Sequence, residues 1–474
     1  MSTSSASAKS INELPSPNGL PLVGNLFQID LSKFHQQLEK WCNNLGLIFK
    51  IKMGSEVILC VADKDAINLI LRDRPSTWRR RRTIENVGAE MGINGVFASE
   101  GERWERQRKI VALALSRAHL NQFFPKMLKT TERLMRRWKV AADSGESVDL
   151  CRDVMRYTVD ITTELAFGVN VNTLETDGPV IQQQLDKVFP IIHARMNAPF
   201  PYWRYFRLAK DRELERAIAG IEKTVNNFIT DCRQQMRNQP ERYEAPTNFL
   251  EAIIAAQTAD QGDNFSDAEI YGNVVTLLLA GEDTTAITIA WACNYFMEFP
   301  QHLERVRAEL DLLCGTAQLL GKQEQLAQLP YLDAFVNETM RLKPIAPLHP
   351  VEANEDTEIL GYQIPKGTPV ICLTRHSAIN PLNFSLPETF QPERWLRSNE
   401  TDVGPHNTQA SIPFGAGPRF CPGRNLALAE IKMALAMLCR NFDMTPTDPS
   451  KTVEEKFAFV MSPTNLMVRF SHRV

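Results

Sequence analysis

Apolar positions along this chain recur mostly every three or four residues, the spacing of amphipathic helices, while strict alternation is confined to short stretches near the two ends. Leu47–Met53 and Glu56–Val61 alternate around Gly54-Ser55 and predict a β-hairpin. A helix follows with Ala66, Ile67, Ile70 and Leu71 on one face, and Glu102–Leu115 predicts another. From about 121 to 260 the pattern is amphipathic helix, interrupted by polar loops near 171–179 and 237–247. Inside that region Phe189-Pro190 through Phe206 gathers aromatics and prolines without a period, which predicts a loop packed on the core. The longest helical signal opens on Ser266-Asp267-Ala268-Glu269, a capping box with Phe265 and Ile270 placed as a hydrophobic staple. It runs to Phe299, before Pro300, and its roughly 34 residues would span about 50 Å. Pro330–Leu342 predicts a helix with Leu332, Phe335, Val336 and Thr339 inward and a stop at Pro344. Glu358–Pro365 and Thr368–Leu373, joined at Lys366-Gly367, predict a second hairpin pairing with the first. A helix over Asn425–Cys439 precedes a last strand pair, Phe457–Phe470, turning at Ser462-Pro463 with Phe459, Val460 and Met461 near a pocket. The fold class expected is mainly α with small β-sheets.

Length alone, 474 residues, would imply about three domains. No repeat, linker or composition break divides the chain, so the expectation is a flexible tail over 1–13 and a single domain over 14–474. A net charge of −3 argues against a nucleic-acid binder. The cysteines, nine and unpaired in spacing, read as reduced thiols of a cytosol-like compartment. Met1–Ser10 is Ser/Ala-rich and polar, with no apolar run of membrane-spanning length and no signal-peptide core. A soluble, cytoplasmic protein without a transmembrane anchor is therefore expected, the alternative being an anchor removed from ahead of the hinge-like stretch Pro15, Pro17, Gly19, Pro21 and Gly24; the expected state is a monomer. The run Arg79–Arg82 reads as a solvated surface turn.

Three stretches depart from ordinary patterning. In Phe414-Gly415-Ala416-Gly417-Pro418-Arg419-Phe420-Cys421-Pro422-Gly423, glycines permit a tight path and close approach, and prolines stiffen the turns. Cys421 falls just before a helix N-terminus, whose free amides and dipole favour a thiolate, and Arg419 supplies a fixed cation for a carboxylate. Such a thiolate is suited to nucleophilic catalysis, to zinc or to haem iron, or is a buried structural thiol. Zinc requires three or four ligands, and no other Cys or His lies within ten residues. The second stretch is Ala280-Gly281-Glu282-Asp283-Thr284-Thr285, a poor helix interior at the centre of the longest helix, and so either a kink or a functional site. The third is Glu338-x-x-Arg341, a common pattern distinguished here only by its place and by the later Pro392-Glu393-Arg394-Trp395. Trp104 and Arg108, at i and i+4, share one helix face and can reach one carboxylate together.

The order Phe-x-x-Gly-x-Arg-x-Cys-x-Gly resembles the haem-binding loop of the cytochrome P-450 monooxygenases, and the resemblance extends over nearly everything from Leu14 onward. It implies the two-lobed fold of that family, with haem b held by the Cys421 thiolate. Phe414, Gly415 and Gly423 would shape the loop, and Arg419, Trp104 and Arg108 would hold haem propionates. Ala280 and Gly281 would leave room beside the iron, while Thr284 and Asp283 would pass protons to O2 bound there. Glu338, Arg341 and Arg394 would form a structural ionic triad. The family commonly places a propionate-binding Arg where this chain has Glu352, and His349 or Arg375 would replace it. Leu278, Leu279, Ala280, Ile345, Ala346, Leu348 and Val460, with parts of 83–97 and of a lid over 189–206, would line the pocket of an apolar or amphipathic substrate. Trp78 and Trp203 would be packing or surface residues. The implied reaction inserts one atom of O2 into a C–H bond, with NAD(P)H-derived electrons from a ferredoxin- or flavodoxin-type partner docking on Arg106, Lys109, Arg424 and Lys432. A peroxide-driven peroxygenase, a hydroperoxide isomerase and a non-catalytic haem-binding protein are the alternatives.

Overall fold

A computed structural model describes residues 9–176, 188, 191–192, 194–196, 198, 200–259, 266–396 and 406–473. Among these described residues the helices of at least nine residues are α1 (Phe34–Leu45), α2 (Lys64–Arg72), α3 (Arg82–Glu90), α4 (Gly101–Ala114), α5 (Arg117–Ser144), α6 (Leu150–Phe167), α7 (Ala209–Asn238), α8 (Phe249–Ala259), α9 (Asp267–Glu298), α10 (Pro300–Cys314), α11 (Pro330–Leu342) and α12 (Arg424–Asn441). The apolar faces of α3 to α12 meet in one large core, while those of α2 and α1 pack into two smaller apolar clusters of a β-rich lobe.

The central element is α9. Ser266 caps it as expected: its side chain accepts from the Glu269 amide at 3.2 Å, and Glu269 Oε2 accepts from the Ser266 amide at 3.0 Å. The staple residue Phe265 lies outside the described residues. Among the described residues α9 alone is long and apolar enough to cross a membrane, yet it is a core helix, wrapped by α6, α11 and α12. The close approach to α6 has a visible cause. A Cβ on Gly281 would stand 2.8 Å from Thr162 Oγ1 and 2.9 Å from its Cγ2, so only glycine admits the packing. The missing side chain of Gly281 thus makes room for α6.

The β-lobe carries a five-stranded sheet of order β1-β2-β5-β4-β3, built from β1 (Ile48–Met53), β2 (Glu56–Val61), β3 (Trp78–Arg80), β4 (His349–Ala353) and β5 (Pro369–Cys372). The first hairpin forms where expected. The second does not: Pro369–Cys372 pairs antiparallel with β4 and parallel with β2. Thr357–Ile359 and Tyr362–Ile364 pair with each other across Leu360-Gly361, at φ 50° and 82°. Two consecutive positive φ values make the two-residue turn that matches strand twist, and this turn competes successfully with Lys366-Gly367. At the C-terminus β6 (Glu455–Phe457) and β7 (Met461–Pro463) pair across Ala458–Val460, not across Ser462-Pro463. Met467–His472 leaves this hairpin and pairs instead with Phe442–Pro446 and Ser147–Asp149.

The arginine run is not a solvated turn. Trp78–Arg80 forms edge strand β3, whose period of two sends Arg79 to Glu85 and Arg81 to Glu56, while Arg80 faces inward with its guanidinium 3.9 Å from the Phe97 ring. Arg82 Nε binds Glu352 at 2.9 Å, which accounts for the acid at that position.

Candidate functional site

A cavity of about 1150 Å³ separates α9 from the Cys421 loop. On α9 the residues Leu277, Ala280, Gly281, Thr284 and Thr288 line it, following the helical repeat. Leu278 and Leu279, expected on this wall, are rotated away and buried in the main core, with Leu277 in their place. Asp283 is likewise not part of the wall. The Thr284 hydroxyl faces the cavity and donates to the Ala280 carbonyl at 2.8 Å, so α9 runs unbroken through the Gly-acid-Thr-Thr stretch. Ile345, Ala346, Leu348 and Val460 line the cavity as expected, and Phe459 lies beside Val460. Of the expected lid, residues 189, 190, 193, 197 and 199 lie outside the described residues. Arg195, Ala198, Phe200 and Arg204 reach the cavity. So does Trp203, expected as a packing or surface residue; its indole donates to Glu90 Oε2 at 2.7 Å.

The opposite wall is the Cys421 loop, with Phe414, Gly415, Arg419, Cys421 and Gly423 all on the cavity. Gly417, at φ 67°, passes so close to the end of α2 that a Cβ would stand 2.2 Å from the Leu71 carbonyl oxygen. The Cys421 amide donates to the Phe414 carbonyl at 2.8 Å, closing the loop. Burial pushes the Cys421 thiol above its ordinary pKa, opposed by the Gly423 amide, the Arg108 charge and the Arg424 amide. The helix-end amides foreseen from the sequence are present, but desolvation outweighs them.

Guanidinium groups gather along one side of the cavity. Arg419 spends one nitrogen on Glu100 Oε2 at 2.7 Å and on the Ser99 carbonyl at 2.9 Å, and stacks 4.3 Å from the Trp104 ring. Its Nε and Nη1 are buried without partners, and so are Arg74 Nε and Nη2 and Arg80 Nε. Trp104 and Arg108 lie on the same wall, with Arg108 4.7 Å from the Phe420 ring. His349 joins them; burial and the charges of Arg74 and Arg80 push its pKa down to about 4, keeping it neutral. Arg375 does not: it is turned away and ion-paired to Glu39 and Glu455, each at 3.0 Å. Arg74 and Arg80 were missed from the sequence. Period-two reading of Trp78-Arg79-Arg80 would have placed Arg80 on the buried face, whereas Arg74 carries no local signal.

Behind the loop, Glu338 is wholly buried and binds Arg341 Nη2 at 2.7 Å and Arg394 Nε at 3.3 Å. It also accepts from Trp395 Nε1 and the Gln391 amide, each at 2.9 Å. Trp395 packs edge-on against His406 at 5.0 Å, linking this network to the chain entering the Cys421 loop. Of the expected basic docking face, Arg106 is taken by Glu269 at 2.7 Å and Lys432 is buried against Asp333 at 2.9 Å; Lys109 and Arg424 remain exposed.

The cytochrome P450 family model matches residues 14–470. The chain belongs to the cytochrome P450 family. Its relatives include cytochrome P450 71BT1 of Catharanthus roseus, 28% identical over 93% of this chain and 88% of the relative. Cytochrome P450 3A6 of Oryctolagus cuniculus is 26% identical, over 90% of this chain and 85% of the relative. The self-sufficient cytochrome P450 monooxygenase CYP505E5 of Aspergillus kawachii is 27% identical over 98% of this chain, which spans 43% of that longer protein. The crystal structure of the cytochrome P450DA heme domain superposes with a TM-score of 0.84 at 22% identity, covering 97% of this chain and 98% of that one, and establishes the fold. This P450 is accordingly a haem-thiolate monooxygenase, with haem as cofactor and O2 as co-substrate. The residues present fit that cofactor. One cysteine sulfur reaches the cavity at the loop, and unpartnered guanidinium nitrogens of Arg74, Arg80 and Arg419 line its side, matching the two carboxylates of a haem edge.

Proposed function

We propose that residues 14–474 act as one haem domain that oxidises C–H bonds of apolar or amphipathic small molecules. The observation carrying this reading is a large cavity, mostly apolar in lining, placed between Thr284 and Cys421. Haem held by the Cys421 sulfur supplies reductive activation of O2 and transfer of one oxygen atom to substrate. The chain's own residues do the rest. Arg74, Arg80, Arg108 and Arg419, with Trp104, bind the cofactor's carboxylates in a buried setting where charge-assisted hydrogen bonds are strong. Ala280, with only a methyl group, leaves the helix face open, and Thr284 Oγ1, whose own proton is donated to the Ala280 carbonyl, can accept a hydrogen bond from the cavity and passes a proton into it when its hydroxyl turns from that carbonyl. Asp283, one residue earlier and off the wall, resupplies that proton from outside the cavity. Leu277, Ile345, Leu348, Phe459 and Val460 exclude water and orient the substrate.

Electrons come from NAD(P)H through a separate ferredoxin- or flavodoxin-type donor that meets the exposed Lys109 and Arg424. The self-sufficient relative favours a second arrangement, delivery from a reductase in the same polypeptide. The protein works as a soluble, cytoplasmic monomer. The test is turnover under isotopically labelled O2 with NAD(P)H and a surrogate ferredoxin or flavodoxin chain, against a panel of apolar acids, terpenes and steroids. One labelled oxygen atom in a product supports the reading. Oxidation driven only by added hydroperoxide, with no label from O2, overturns it.

A further inference from the structure

The tip of the β6–β7 hairpin, Phe459 and Val460, forms part of the cavity wall, yet its base is fixed by a charge cluster outside that cavity. Glu455, the first residue of β6, is nearly buried and receives donors from three separate elements. From α1, His35 Nε2 lies 2.9 Å and Gln36 Nε2 2.8 Å from its Oε2. From the end of α11, Lys343 Nζ contacts Oε1. From the short helix Thr374–Ala378, Arg375 Nη2 donates to Oε1 at 3.0 Å. Arg375 turns its other nitrogen to Glu39 of α1 at 3.0 Å, so Glu39 shares the cation without touching the hairpin. The neighbouring strand is held independently: the Trp291 indole of α9 donates to the Met461 carbonyl at 3.1 Å, and the Met461 amide to the Ile345 carbonyl at 2.9 Å. Between these anchors lies the turn Ala458–Val460, closed by the Ala458 amide donating to the Val460 carbonyl at 3.1 Å, with the Phe459 ring edge-on to Phe97 at 5.9 Å. Phe34, which lines the cavity, directly precedes the His35–Gln36 pair in the chain, and Leu31, four residues before His35, lines it too. One carboxylate therefore ties the start of α1, with its cavity-lining Phe34, to the base of the hairpin whose tip lines the same cavity.

We propose that Glu455 is a positioning residue for substrate selection, its ion-paired carboxylate fixing Phe459 and Val460 against the guest in the cavity. The proposal rests on the haem reading above and goes beyond it, because Glu455 touches neither cofactor nor cavity. Loss of its charge leaves Lys343 and Arg375 facing each other with only Glu39 between them. The hairpin base then loosens, and the tip shifts relative to α9.

The test uses purified holoprotein and two probes that ligate ferric haem, imidazole and 4-phenylimidazole, read by absorption titration. Imidazole needs only the iron; the phenyl group needs the wall beside it. Glu455→Gln is expected to bind 4-phenylimidazole about tenfold more weakly, equivalent to roughly 1.4 kcal/mol, with imidazole and haem content unchanged. Val460→Ala should reproduce the altered ratio, and Glu39→Gln should leave it at the wild-type value. An unchanged ratio in Glu455→Gln, an equal loss for both probes, or loss of haem would assign Glu455 to folding alone and overturn the proposal. A wild type that gives no thiolate-type band with carbon monoxide would overturn the haem reading itself and this proposal with it.

Discussion

Truncating Glu338 to alanine removes the acceptor for two buried cations. The carboxylate is wholly inaccessible and takes bonds from Arg341 Nε and Nη2 at 2.8 and 2.7 Å, Arg394 Nε at 3.3 Å, Trp395 Nε1 at 2.9 Å and the Gln391 amide at 2.9 Å. Arg341 keeps partial compensation from the Ala378 and Pro387 carbonyls at 2.9 and 2.6 Å. Among the described residues Arg394 keeps only the Leu386 carbonyl at 2.9 Å, and its Nη1 has no partner there. Breaking a buried pair from one side costs roughly 3–5 kcal/mol, and two cations are stranded here, so about 4 kcal/mol is a conservative figure. Against a total stability of about 5–15 kcal/mol that loss is large. Glu338→Gln preserves the shape and one acceptor while removing the charge, and is expected to cost about 2 kcal/mol. The Arg207–Glu215 pair, exposed on both sides, serves as control; Glu215→Ala should cost between about 0 and 1 kcal/mol. The assay is the haem-to-protein ratio of purified material together with the urea midpoint. Glu338→Ala should lose most of its haem, Glu338→Gln should fall between, and Glu215→Ala should match the parent. Normal haem content and an unshifted midpoint in Glu338→Ala would refute the idea that this network supports the Cys421 loop.

Arg80→Ala removes one inward guanidinium and should speed haem transfer to apomyoglobin about ten- to a hundredfold, from roughly 1.5–3 kcal/mol per charged hydrogen bond; unchanged transfer would remove Arg80 from the cofactor's carboxylates. Gly281→Ala forces a methyl group against Thr162 and should destabilise by about 1–3 kcal/mol in thermal unfolding, with recovery in a Gly281→Ala, Thr162→Ala double variant. Thr284→Ala should keep its haem but divert several-fold more NAD(P)H-derived electrons to hydrogen peroxide, measured as peroxide per NAD(P)H consumed; tight coupling in that variant would end the proton role of Oγ1. Burial raises the Glu455 carboxyl, but the His35 bond and the Arg375 and Lys343 charges outweigh it and hold it well below the usual carboxylate range. Its contribution to stability is therefore complete above the unfolded-state pKa of about 4.3 and is lost as pH falls through the folded value, so the stability gap between parent and Glu455→Gln should narrow below about pH 4.

Much of this site was legible because its signals are local. The Cys421 loop compresses glycine, proline, arginine and cysteine chemistry into ten residues, and the capping box at Ser266 fixed the start of α9 to within a residue. The first hairpin was readable because alternation and Gly54 agree. What escaped depends on contacts between distant segments. Strand pairing of 369–372 with both β2 and β4 is set by the sheet, and the Leu360-Gly361 turn requires a leucine at positive φ that no propensity would predict. Arg74 and Arg80 became candidates only when the fold left their nitrogens buried without partners. Arg375 was a candidate to replace the propionate-binding Arg missing at Glu352, but Glu39 and Glu455, far away in sequence, claim it. Arg106 and Lys432 were read as surface charges for the same reason: their acids, Glu269 and Asp333, are contributed by other helices.

The central claim is that the Cys421 sulfur holds haem in the cavity facing Thr284. Its most direct test is the absorption spectrum of purified, dithionite-reduced protein with and without carbon monoxide, alongside Cys421→His. A strongly red-shifted Soret band in the parent, replaced in the variant by the position typical of histidine-ligated haem, is the predicted result. A histidine-type band in the parent, or a parent band that survives replacement of Cys421, would contradict it.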